Sequence, residues 1–120
     1  MKFNDEYHLY DLRVEVVSAG DGRPMVCRHN EGDFFSVTDD DLLTFPAGVS
    51  FPMYPLAALI PILSAKTREL DPNDWMFTDT DIACPDPNCG GLFHISRGER
   101  RTYRNSEQTT PRENANRKVG

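Results

Sequence analysis

Eight consecutive residues, Cys84-Pro85-Asp86-Pro87-Asn88-Cys89-Gly90-Gly91, hold two prolines, two glycines and two of the chain's three cysteines. Proline has no amide proton to give a helix interior or a central strand, so neither regular element runs through this stretch. The chain must reverse, and Asp81-Ile82-Ala83-Cys84 and Leu92-Phe93-His94-Ile95-Ser96 read as the arms of a β-hairpin. Glycines at 90 and 91 suit a doubling back through positive φ. A turn carrying two thiols also has chemical meaning. Both sulfurs can converge on one tetrahedral ion while nearby backbone amides offset their charge, and the four-residue gap between Cys84 and Cys89 is usual for such pairs.

The remaining ligands must come from elsewhere. Cys27 is the third thiol, with His29 two residues on, so in an extended segment Met25–His29 both would project from one face. His94 lies on the return arm of the hairpin. Cys27, Cys84 and Cys89 with either His29 or His94 compose a set that suits zinc, which favours sulfur and nitrogen. Plainer readings stand beside this one. Cys27 follows Met25-Val26 and could be a small buried hydrophobe, His94 alternates with Phe93 and Ile95 and could face solvent, and His8 reads as a surface residue.

Catalytic signals are weaker. A thiol and a base can be composed from Cys27 and His29 or from Cys84 and His94, but no nucleophile signature surrounds them. Asp86, next but one to Cys84, could act as a base or as an acceptor beside a ligand, but in a Pro-Asp-Pro-Asn run it reads first as a turn residue. Asp39-Asp40-Asp41 lacks the spaced ligands, central glycine and distal glutamate of a calcium loop. There is no phosphate-cradling glycine loop and no dinucleotide fingerprint.

Around the hairpin the pattern is mixed. Leu12, Val14 and Val16 alternate with Arg13, Glu15 and Val17, which predicts a strand over 12–18, and Phe34-Phe35-Ser36-Val37 predicts another. Residues 42–54, broken by Pro46, Gly48 and Pro52, read as a loop packed on the core. Leu56, Leu59, Ile60 and Leu63 fall on one helical face, so a helix spans 55–69, with Lys66 to Glu69 on its solvent side and Pro61 kinking or dividing it. Trp75 reads as a core anchor near that helix. The expected fold class is α+β: a small antiparallel sheet packed by one Pro-kinked helix. Residues 1–11 form an acidic, aromatic-bearing lead, 12–97 the domain, and 98–120 a basic tail.

Charge supports that division. Residues 1–96 hold six basic and sixteen acidic residues and residues 97–120 seven basic and three acidic, giving the net −6 of the chain. An acidic body is a poor match for nucleic acid. The tail is nearly free of aliphatic side chains, so it is expected to be disordered unless ordered on an acidic surface, of a partner, a second copy or its own body. No run reaches the roughly 20 apolar residues of a membrane span, and the polar start does not read as a secretory signal, which points to the cytoplasm. Reduced thiols there favour ligation or burial over a disulfide framework.

The segments Arg13-Val14-Glu15-Val16-Val17, Cys27 followed by Glu31-Gly32-Asp33-x-Phe35, the proline-flanked helix at 52–63, and Cys84-Pro85-Asp86 with a strand ending Ile95-Ser96-Arg97 together resemble a family of small uncharacterised prokaryotic single-domain proteins. The resemblance spans about residues 12–97 and implies no established activity. Many members of the family it resembles carry another cysteine just before the helix, where this chain has Phe51; this chain instead has Cys89.

From these residues we expect a zinc-stabilised accessory or interaction subunit of a larger enzyme complex, binding that partner or its own copy through the lead and tail. The alternative is a stand-alone thiol-redox protein or small enzyme using Cys27 or Cys84.

Overall fold

The computed structural model describes residues 5–109. Five strands form one antiparallel sheet: β1 (Glu6–Ser18), β2 (Phe34–Thr38), β3 (Leu42–Thr44), β4 (Thr80–Ala83) and β5 (Gly91–Arg104), in the order β3-β2-β1-β5-β4. One main helix, α1 (Met53–Lys66), covers it, and a short helix, α2 (Asn105–Thr109), follows β5. This is the expected α+β class.

The alternation in β1 does what its period dictates. Leu12, Val14 and Val16 are buried while Arg13 is exposed, and the neighbouring strands add Phe35, Val37, Phe93 and Ile95 to the same core. Leu59 and Leu63 of α1 close it. Each such fully buried side chain contributes about 1.5–3 kcal/mol relative to exposure.

Pro52 caps α1 in an extended conformation, and Pro55 falls in the first turn, where an amide donor has no intrahelical partner. Pro61 leaves the helix undivided. Leu59 and Leu63, on either side of it, are both anchored in the core. The helix stops at Lys66 rather than 69 because the next backbone is taken by the sheet. Tyr10 N–H donates to Thr67 O at 2.8 Å, and Leu9 bridges to Arg68.

Lys66 is not on the solvent side. It is fully buried, and its ammonium donates to the carbonyls of Thr78 at 2.6 Å and Trp75 at 3.3 Å. Trp75 does not anchor the core either; it is half exposed in a 3-10 turn, Trp75–Phe77, with the Lys66 Nζ 4.7 Å from its ring centre. The buried cation therefore does the anchoring, and the indole shields it. Residues 42–44 are an edge strand, and Met25–His29 is irregular loop instead of extended chain.

Boundaries drawn at 11/12 and 97/98 fall inside strands. β1 and β5 pair continuously from Glu6↔Arg104 to Ser18↔Gly91, with one bulge between Tyr10 and Leu12. The extension is held by polar contacts: Arg101 to Asp11 at 2.9 Å, Arg100 to Glu69 at 2.9 Å, and Tyr7 stacked on Tyr103 at 5.6 Å. Residues 98–104 are thus ordered on the chain's own acidic body. Phe3 of the lead and residues 110–120 of the tail lie outside the described residues.

Candidate metal centre

Cys84 and Cys89 end the β4–β5 hairpin as the prolines and glycines require. Cys84 N–H donates to Gly91 O at 3.2 Å and Cys89 N–H to Asp86 O at 3.0 Å, which folds the turn over itself. The Asp86 carboxylate accepts the Asn88 amide at 2.9 Å, so it shapes the turn. Neither Gly90 nor Gly91 has positive φ. They are needed because nothing larger fits. A Cβ on Gly90 would stand 2.5 Å from the Arg23 carbonyl oxygen, and one on Gly91 2.8 Å from Cε1 of His29.

The close approach at Gly90 brings in the second half of the site. Gly90 N–H donates to Pro24 O at 2.8 Å, which docks loop 24–30 on the hairpin. The far end of the loop is pinned to β1, where Gly32 N–H donates to Val16 O and Val16 N–H to Asp33 O, both at 2.8 Å. Between these anchors Cys27 and His29 turn inward.

The result is a cluster of Cys27, His29, Cys84 and Cys89 whose ligand atoms all lie within 4.8 Å of one another. A tetrahedral zinc with bonds of about 2.0–2.3 Å needs edges of roughly 3.3–3.8 Å, so small adjustments would seat an ion. Cys27 Sγ and Cys84 Sγ are 3.1 Å apart, and none of the three cysteines is in a disulfide.

His29 carries the clearest signal. The ring is 3% exposed, stacked at 6.2 Å on Phe51 and edge-on to Phe93 at 5.1 Å, and neither ring nitrogen has a hydrogen-bond partner. An imidazole buried without partners costs free energy that a bound cation would recover. Burial pushes its pKa below the ordinary histidine value, which keeps the ring in the neutral form a metal requires.

The sulfurs are unequal. Burial raises the Cys89 thiol, but the amides of Gly91, Cys27 and Val26 and the Cys27 thiol aim at its sulfur and carry it below the usual thiol value. Burial and the two neighbouring sulfurs push Cys27 up. Amide donors on a sulfur stabilise a thiolate with or without a metal.

His94 does not join the cluster. Phe93 and Ile95 point into the core, so strand alternation turns His94 to the other face, where Nδ1 lies 2.6 Å from the Asp81 carboxylate across the hairpin. His8, 3.1 Å from the Thr102 hydroxyl, is likewise elsewhere.

No protein-family model, curated protein or solved structure matches this chain. The site is therefore read from its own geometry. Phe51 and the clearance at Gly91 escape a reading of the sequence, because nothing local to either residue shows what it faces. Outside the cluster, a cavity of about 310 Å³ opens against Cys27 and Cys84, walled by Pro52, Tyr54, Pro55, Pro85 and Asp86.

Proposed function

We propose that Cys27, His29, Cys84 and Cys89 hold one structural zinc ion, and that the protein is a zinc-stabilised accessory domain that presents a surface to a partner protein. The observation that carries this is the buried imidazole of His29, with both nitrogens unpartnered, facing three clustered thiols. Three sulfurs and one nitrogen supply all four positions of a tetrahedral ion, leaving none open for substrate, which is the pattern of structural rather than catalytic zinc.

Zinc would tie loop 24–30, a segment without regular structure, to the hairpin 57 residues further on. Structural zinc contributes about 10–16 kcal/mol at neutral pH, comparable to the whole stability of a domain.

Elemental analysis of untagged protein, with thermal unfolding before and after chelation, tests the reading. The expected result is about one zinc per chain, lost together with thermal stability on chelation, and lost in His29→Gln and Cys89→Ser. A metal-free protein that unfolds at the same temperature with and without added zinc would refute it.

A further inference from the structure

The four groups of the cluster are not equally sheltered. Cys89 and His29 are 4% and 3% exposed, whereas Cys27 is only partly buried, and Cys27 and Cys84 both form part of the wall of the 310 Å³ cavity. Their sulfurs stand 3.1 Å apart, about 1 Å beyond a disulfide bond length. The rest of the wall is Pro52, Pro55, Pro85 and the ring of Tyr54, with Asp86 as its one carboxylate. An apolar chamber thus opens on the partly buried Cys27, with Cys84, 7% exposed, beside it in the wall, while the other two ligands lie behind them.

We propose that Cys27 and Cys84 are a site of oxidative modification, closed to a disulfide by an organic hydroperoxide that enters this cavity, with release of the metal. The release step rests on the zinc reading above; the disulfide does not. Cys27 Sγ attacks the terminal oxygen of the hydroperoxide. The O–O bond breaks, the sulfur becomes a sulfenic acid, and the departing alkoxide takes the thiol proton and leaves as an alcohol. Cys84 Sγ then attacks Cys27 Sγ, forming the S–S bond, and the hydroxide expelled leaves with the second thiol proton as water.

The two sulfurs give up two electrons and the peroxide bond takes them. The alkoxide and the hydroxide each leave with one thiol proton, as alcohol and as water. With Cys27 and Cys84 joined, only Cys89 and His29 would remain to hold an ion, which is too few to retain it, while the new bond holds loop 24–30 to the hairpin. The apolar wall selects the reactant: an alkyl or aryl hydroperoxide buries its hydrocarbon against prolines and Tyr54, and hydrogen peroxide has nothing to bury.

The test uses full-length protein, cumene hydroperoxide and hydrogen peroxide at equal concentration, peptide mapping of disulfides, and a chromophoric chelator that reads free zinc. The expected result is a Cys27–Cys84 disulfide with Cys89 still a free thiol, about one zinc released per disulfide, and a rate about tenfold or more higher with cumene hydroperoxide. Tyr54→Ala, at a side chain 75% exposed, removes a wall and is expected to reduce that preference without unfolding the protein.

A disulfide that includes Cys89, no disulfide, or equal rates with the two peroxides would overturn the proposal. Protein that holds no zinc before oxidant is added refutes the zinc reading alone, since the disulfide map is read independently.

Discussion

Replacing Gly91 by alanine isolates the steric requirement of the site. The backbone at Gly91 is outside the positive-φ region, so alanine brings no backbone strain, and the whole effect is that of one methyl group. That carbon would stand 2.8 Å from His29 Cε1 and 3.4 Å from both Cys89 Sγ and Met25 Sδ. Carbon atoms settle at about 3.5 Å or more, so His29 must retreat by roughly 0.7 Å, against a tolerance of about 0.2 Å in a metal–ligand bond. The sulfur atoms beside it restrict the directions in which the hairpin can yield.

Overpacking of this kind costs about 1–3 kcal/mol, and displacement of a ligand lowers metal affinity roughly 10- to 100-fold. Gly98→Ala in the same strand is the control, because its Cβ would meet nothing closer than Asp11 Cβ at 3.7 Å. Differential scanning calorimetry with zinc and with chelator, and zinc competition against a chromophoric chelator, measure both parts. Gly91→Ala is expected to melt roughly 5–20 °C below Gly98→Ala, at about 4–8 °C per kcal/mol for a domain near this size, and to lose zinc at lower chelator concentration. Equal melting temperatures and equal zinc affinity for the two variants would refute the packing argument.

Other consequences can be checked separately. Lys66→Met keeps the apolar stem but removes the donor to the Thr78 and Trp75 carbonyls, and is expected to lower stability by about 1–3 kcal/mol in urea titration; an unchanged midpoint would show that the buried ammonium contributes nothing net. Burial, the hydrogen bond donated to Asp39 and the charge of that carboxylate push the Tyr103 hydroxyl up to about 12. The unfolded chain ionises there near pH 10, so this contribution to stability is complete below about pH 10 and is lost as pH rises toward 12. An absorbance titration should show a late phenolate step that is missing in Tyr103→Phe and earlier in Asp39→Asn; a titration that Tyr103→Phe leaves unchanged would contradict it. His94→Gln is expected to leave zinc content intact, because His94 meets Asp81 on the other face; a loss as large as that in His29→Gln would return His94 to the site.

The core was legible because local pattern and burial agree. Leu12, Val14 and Val16 alternate as a half-buried strand must, and Leu59 and Leu63 repeat as a helical face must. The hairpin at Cys84–Gly91 was legible for a different reason, since prolines and glycines restrict the backbone wherever they stand. The polar extension of the sheet was not legible. Residues 6–10 and 100–104 lack the apolar alternation that marks a strand, and their pairing depends on ions such as Arg101 and Asp11, 90 residues apart in sequence. Lys66 was misplaced by its type, because a buried lysine is rare until three carbonyls from another segment converge on its ammonium.

For the candidate site, residue chemistry alone determined the donors: three thiols and two imidazoles, with a turn that brings two of the thiols together. Only the tertiary structure chose between His29 and His94. That choice depends on which face of β5 points to the core and on how loop 24–30 is docked on Gly90. Both are set by contacts between residues far apart in sequence, where spacing along the chain carries no information.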